Sequence, residues 1–351
     1  MNQTSRVYVA GHRGMVGSAI VRCLQQAGFS NIITAASNQL DLRNQQQTSD
    51  FFTAHKPEFV FLAAAKVGGI MANNTYKAEF IYDNMMIAAN VVEQAHRTNC
   101  KKLVNLGSSC IYPKFATQPL TEDSLLTGIL EPTNEAYAIA KIAAIKLCRY
   151  YNEQYGTDYL SLMPTNLYGP NDNYNLETSH VLPALIRKII LARYLHQGAI
   201  DKIRSDIKRH DLGYGMIRTS LLTDDEVVSA LTRFGITNDT VTLWGTGNVY
   251  REFLHADDVA DAAVYFMQNV SANSAGEIVN IGTGTDITIR VLAELIQHIV
   301  GYEGSLNFDA SKPDGTPRKL MDVQKATSLG WQARIPLEQG LRTVIEEYLT
   351  R

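Results

Sequence analysis

The sequence predicts an α/β protein: a doubly wound parallel sheet joined to a smaller, discontinuous C-terminal domain. Three observations predict it. Short apolar strand-like runs alternate with helical stretches through residue 170, a glycine-rich turn links the first strand to the first helix, and beyond residue 170 the alternation weakens.

The first strand is RVYVA at 6–10, GHRGMVG turns the chain, SAIVRCLQQAG reads as a helix, and NIITAAS is a second strand. That is a β-α-β opening. Buried strands FVFLAAA (59–65) and KLVNLGS (102–108) follow, separated by the helical stretch FIYDNMMIAANVVEQAHR. The helix NEAYAIAKIAAIKLCRYYNEQYG (134–156) leads into the strand-like YLSLMPTNLYG. Residues 1–170 are therefore expected to form a dinucleotide-binding domain with a Rossmann-like sheet. Residues 171–240 and 285–351 are assigned to the substrate domain. Strand-like VTLWGTG (241–247) and EIVNIGTG (277–284) are expected to return to either one. The charged stretch near 190–240 reads as a surface addition without catalytic residues.

Composition narrows the function. With 351 residues, 45% hydrophobic and 19% charged, the chain supports a large core. A formal net charge of −3 argues against a broad nucleic-acid face, while leaving room for a local basic pocket for a phosphorylated small molecule. No apolar run reaches the roughly 18 residues of a membrane span, and MNQTSRVYVAGHRG lacks the pattern of a signal peptide. A soluble, cytoplasmic protein is expected, without membrane or nucleic-acid partners. Its four cysteines, Cys23, Cys100, Cys110 and Cys148, have no metal-type spacing, so reduced thiols and no metal are expected.

Two local patterns carry chemistry. Gly11, Gly14 and Gly17 of GHRGMVG let the backbone approach a pyrophosphate at a helix N-terminus. Tyr137 and Lys141 of YAIAK project from one helix face in successive turns, and a nearby ammonium is expected to lower the tyrosine pKa. Taken alone, each pattern also fits a plain turn or an amphipathic surface pair.

Together with Ser108 at the end of a strand, these patterns resemble the extended, nucleotide-sugar-modifying branch of the short-chain dehydrogenase/reductase superfamily. AGHRGMVGSAI, LAAAKVGGIMANN, LGSSCIYPK, EPTNEAYAIAKIA, PTNLYGPNDN, REFLHADD and DASKPDGTPRK resemble, in order, blocks of the GDP-L-fucose synthase family. The resemblance implies an NADP(H)-dependent epimerase and reductase acting on GDP-4-keto-6-deoxy-D-mannose. It implies that Ser108 and Tyr137 bind the C4 oxygen, that Tyr137 protonates it, and that Lys141 holds the nicotinamide ribose. Cys110 and His180 are implied as the epimerisation pair, because a C4 carbonyl acidifies the C–H bonds at C3 and C5. For cofactor binding it implies Gly11, Arg13, Gly14, Met15, Val16, Gly17, Asp41, Leu42, Ala63, Lys141, Pro164, Asn166, Leu167 and His180. Lys188, Trp244, Arg251, Asp314 and Lys319 are implied for the GDP-sugar, with Arg251 and Lys319 on the diphosphate.

Two departures stand out. Lys188 occupies a place where the family usually has arginine, so a two-pronged phosphate contact becomes a point-charge one. Ser37 stands where relatives can carry an arginine for the NADP 2′-phosphate, leaving Arg13 for that role. A homodimer is expected through helices near 78–97 and 135–155. The alternatives are a related enzyme acting on another GDP-4-keto sugar, a deoxyheptose or the colitose precursor, and a non-catalytic dinucleotide sensor. A 4,6-dehydratase fits less well, since such relatives follow the strand serine or threonine with acidic residues and this chain has SSCIYP.

Overall fold

The computed structural model describes residues 1–213, 223–312 and 314–350. Strands β1 (Val7–Ala10), β2 (Ile32–Ile33), β3 (Phe59–Leu62), β4 (Lys102–Leu106) and β5 (Tyr159–Pro164) follow one another along the chain. Between them run α1 (Met15–Gln26), α2 (Gln45–His55), α3 (Ile70–Thr75), α4 (Lys77–Arg97) and α5 (Glu135–Tyr155). Then come β6 (Asn166–Tyr168), α6 (Val181–His196), α7 (Ile200–Arg209), α8 (Asp224–Arg233), β7 (Thr240–Trp244), β8 (Tyr250–Arg251), β9 (Phe253–His255) and α9 (Ala256–Asn269). The last elements are α10 (Ala272–Ala275), β10 (Ile278–Ile281), β11 (Ile287–Thr288), α11 (Ile289–Val300), β12 (Ser305–Asp309), β13 (Arg318–Lys319), α12 (Gln324–Ser328) and α13 (Leu337–Thr350).

The main sheet has the order β10-β5-β4-β3-β1-β2, parallel throughout. Alternate residues of each strand face opposite layers, which explains why the runs are apolar at every position. Val7, Val9, Phe61, Val104 and Leu162 pack against Ile20 and Leu24 of α1 and Ala263 and Phe266 of α9. Tyr8, Ala10, Val60, Leu62 and Leu103 pack on the other side against Phe52, Val91 and Val92. The chain reverses direction across the sheet between β1 and β3, so the carboxyl ends of these strands open a crevice.

Three small sheets, β11-β8-β13, β12-β7 and β6-β9, shape the rim of that crevice. Strand β10 joins the main sheet beside β5, whereas β7 pairs with β12 outside it.

The stretch 190–240 is not the surface addition its charge suggests; residues 214–222 of it lie outside the described residues. Ile203, Ile207, Leu212, Val227, Leu231, Phe234 and Ile236 are buried in one cluster with α6, α11 and α13. Fully buried Arg187 of α6 pins α7 in place: its guanidinium donates to Asp206 at 2.9 Å and to the carbonyls of Tyr174, Asp211 and His210. The Tyr348 hydroxyl of α13 donates to the same Asp206. A buried ion pair of this kind is costly to break from one side.

Candidate active site

A cavity of about 1450 Å³ opens at the crevice between β1 and β3 and runs to β7 and β8. That exceeds the 300–1,000 Å³ usual for a single small ligand, and suits two.

At one end the glycine turn enters α1. Gly11 has φ +82°, and a Cβ there would lie 2.7 Å from the Ala64 nitrogen, so β1 and β3 meet closely only with glycine. Gly14 begins α1 with no side-chain cap, leaving the first N–H groups of the helix toward the cavity. Gly11, Gly14, Met15, Val16, Gly17, Asp41, Leu42, Ala63, Pro164, Asn166 and Leu167 all line this wall. The residues present therefore fit a dinucleotide. Arg13 is exposed beside them, near enough for its charge to add to the burial that pushes the His12 imidazole down. Sequence reasoning passed over Arg43, which lines the wall near Ser37 and forks onto Asp41 at 2.9 and 3.0 Å, with Asp83 at 3.2 Å.

At the centre, β4 is followed by Gly107 and a single turn, Ser109–Ile111, in which the Cys110 N–H donates to Ser108 Oγ at 3.3 Å. Ser108 also stands close enough to the Tyr137 phenol to favour its ionised form. One turn along α5, Lys141 Nζ donates to the Leu106 carbonyl at 2.7 Å. Burial lowers Lys141 to about 8. The expected depression of Tyr137 by Lys141 is not what forms. Burial, joined by the Cys110 charge, pushes the phenol up and outweighs the opposing effect of the nearby Ser108 hydroxyl, so Tyr137 stays protonated.

Cys110 Sγ accepts from Asn134 Nδ2 at 3.4 Å and from Lys319 Nζ at 3.7 Å. Lys319 thus reaches the thiol, and it stands opposite Arg251 in the β8–β13 register. His180 precedes α6 and turns its ring to the cavity. Its loop is held by Gly69, whose N–H donates to the Thr178 carbonyl and where a Cβ would lie 2.5 Å from the Ser179 carbonyl oxygen. Shielding by surrounding protein, then the Lys319 charge, push the imidazole below its ordinary value.

At the far end stand Lys188, Trp244 and Arg251. Lys188 is lowered to about 8 by burial and has no carboxylate partner among the described residues. A buried ammonium in that condition calls for an anion. Both carboxylate oxygens of Asp314 accept from Thr246, which fixes the turn beside Trp244. Arg233 and Phe234, at the end of α8, also line this part of the wall, and Asp172 lines the cavity with a carboxyl that burial raises to about 7. Neither the arginine nor the aspartate carried a local sequence signal.

Residues 7–214 and 212–282 match the NAD dependent epimerase/dehydratase family. The chain is 48% identical over 348 residues to GDP-L-fucose synthase 1 of Arabidopsis thaliana, covering 99% of this chain and 94% of that one. It is 47% identical over 350 residues to GDP-L-fucose synthase of Escherichia coli (strain K12), covering 98% and 96%. Among solved structures, a GDP-D-glycero-L-gluco-heptose synthase from Campylobacter jejuni in the presence of NADPH superposes with a TM-score of 0.92 at 40% identity, over 99% of each chain. Among the described residues, no helix is long and apolar enough to cross a membrane. A nicotinamide dinucleotide is the cofactor that this fold and glycine turn serve, and the chain belongs to the NAD dependent epimerase/dehydratase family, in the group of the GDP-L-fucose synthases.

Proposed function

We propose that this chain converts GDP-4-keto-6-deoxy-D-mannose to GDP-L-fucose by 3,5-epimerisation and NADPH-dependent 4-reduction. One observation carries the reading: a Ser108–Tyr137–Lys141 arm and a Cys110–His180–Lys319 arm face one cavity whose far end holds Lys188 and Arg251.

Cys110 removes the C3 proton, and the resulting enolate places its charge on the C4 oxygen, where the Ser108 and Tyr137 hydroxyls donate to it. His180 returns a proton from the opposite face, inverting the centre. A lowered imidazolium gives up its proton readily, which suits that role. Exchange with solvent resets the pair, and the same sequence inverts C5. The α1 turn and Lys141 would hold a nicotinamide dinucleotide, which when bound would supply the hydride for C4. Tyr137, kept protonated by burial, gives its proton to the C4 oxygen, and Lys141, lowered to about 8, can pass a proton on near neutrality. Lys188 and Arg251 would hold the diphosphate, Trp244 would lie beside the nucleotide sugar, and Arg13 would bind the 2′-phosphate.

A homodimer is part of this reading, supported by Tyr82 and Met85 of α4 and Ile139 and Tyr150 of α5, all exposed. A monomeric mass by light scattering would count against it. The four free thiols suit the cytoplasm. The second reading is another GDP-4-keto sugar, a heptose among them, favoured by the 99% mutual coverage with the heptose synthase.

The test is NADPH oxidation at 340 nm with a panel of GDP-4-keto sugars, with product stereochemistry read by NMR. Oxidation with the deoxymannose derivative and an L-fuco product supports the first reading. Turnover confined to a heptose supports the second, and no oxidation with any sugar sinks both.

A further inference from the structure

Asn134 stands immediately before α5, in the place and with the residue type that usually cap a helix, yet it does not cap. Its backbone lies at φ −131°, ψ 13°, away from the extended geometry that aims a cap side chain at the first turn, and it makes no side-chain cap bond. The amide turns toward the cavity, where Nδ2 donates to Cys110 Sγ at 3.4 Å. Its other end, Oδ1, is buried without a hydrogen-bond partner. A buried carbonyl left unpaired is unfavourable, so the orientation is not explained by what Oδ1 gains. The sulfur is what the amide is turned to meet.

From the other side comes Lys319 Nζ, 3.7 Å from the same sulfur. Two donors from separate elements, the start of α5 and β13, thus converge on one thiol. The Asn134 bond also ties the turn that carries Cys110 to the helix that carries Tyr137, three residues further on.

We propose that Asn134 is a positioning residue for proton transfer: its amide fixes the Cys110 sulfur, with Lys319, at the place from which it takes the substrate proton. This rests on the reading of Cys110 as the base. N–H donors strengthen their bonds when sulfur carries charge, so the contact gains most in the form that has yet to take the proton. Because the amide does not cap α5, its removal takes no helix-stabilising bond.

The experiment compares wild type, Asn134→Ala and Asn134→Asp, the last nearly isosteric but with an acceptor in place of the donor. Two readouts are taken on the full-length protein. One is the rate of iodoacetamide alkylation at Cys110 across pH, followed by peptide mass spectrometry. The other is deuterium incorporation at C3 and C5 in D₂O, set against NADPH oxidation. Both variants are expected to alkylate more slowly and to lose exchange on the order of tenfold or more, a share of the ~10²–10⁴-fold that general acid–base catalysis contributes. Hydride transfer should fall less. Wild-type alkylation and exchange in both variants would overturn the proposal, as would equal loss of exchange and hydride transfer, the mark of a merely structural asparagine. Cys110→Ser, run alongside, separates the two levels. Normal exchange in Cys110→Ser sinks the parent reading, whereas loss there with normal exchange in the Asn134 variants sinks this one alone.

Discussion

The two arms of the site are built differently. Tyr137 and Lys141 reach the cavity from one helix, one turn apart, and Ser108 sits at the end of the neighbouring strand β4. Cys110, His180 and Lys319 arrive from a single turn, a loop before α6 and a two-residue strand. The first arm is organised by local geometry and the main sheet; the second exists only once the C-terminal elements have folded against that sheet. Damage to the C-terminal scaffold should therefore be felt first by proton exchange, and damage to α5 by reduction.

The coarsest way to break the comparison is to remove scaffold. Trimming 198–236, which charge alone suggests is harmless, deletes Ile203, Ile207, Val227, Leu231 and Phe234 from the core. At ~1.5–3 kcal/mol for each fully buried side chain, the summed loss is of the same size as the ~5–15 kcal/mol that holds a domain together. The trimmed chain is expected to be insoluble or unfolded by circular dichroism. A folded, active product would return this segment to the status of a surface addition.

Next come the arms themselves. Tyr137→Phe removes the proton donor from the reducing arm and is expected to slow NADPH oxidation by at least ~10²-fold. Deuterium exchange at C3 and C5 should fall less, because Ser108 still donates to the enolate oxygen. Similar oxidation rates in Tyr137→Phe and wild type would remove Tyr137 from the mechanism. Cys110→Ser is the mirror image. A hydroxyl is far harder to ionise than a thiol, so deuterium at C3 and C5 should be nearly absent, while direct reduction at C4 survives. Undiminished incorporation at both carbons would make Cys110 a packed thiol and leave the second arm without a base.

The same contrast explains what could be read before folding. YAIAK and GHRGMVG were legible because the helix period and the strand–turn–helix context act over a few residues. The parallel sheet was legible because a strand buried on both faces must be apolar throughout, as VYVA and FVFL are. The contact of Lys319 with Cys110 was not legible, because nothing local tells that β13 pairs with β8 and delivers an ammonium to that thiol. Asn134 carried no signal of its own, standing in the sequence only as the first residue of the helical stretch 134–156. The stretch 190–240 did carry a signal: Ile200, Ile203 and Ile207, then Val227, Leu231 and Phe234, recur at three- and four-residue intervals, the mark of buried helix faces. Apart from buried Asp206, most charges of α7 lie on the exposed side, and they dominate the composition. The expectation for Tyr137 went astray for a different reason: a nearby ammonium was weighed without the larger cost of burying a phenolate.

The smallest effect lies inside the second arm and tests whether its members sense one another. His180 is pushed below the ordinary imidazole value of 6.5, first by the shielding of surrounding protein and then by the positive charge of Lys319. Both causes disfavour the imidazolium, so lowering the pH must go further before the ring protonates. Lys319→Gln removes the second cause and leaves the first. The His180 titration, followed by NMR of the labelled imidazole in the protein without substrate, is expected to move upward while remaining below 6.5. The high-pH limb of deuterium exchange should move the same way, since the acid form then persists to higher pH. An unchanged His180 titration in a folded Lys319→Gln protein would mean that this ammonium serves Cys110 alone, and that the epimerising arm is two separate contacts rather than one coupled set.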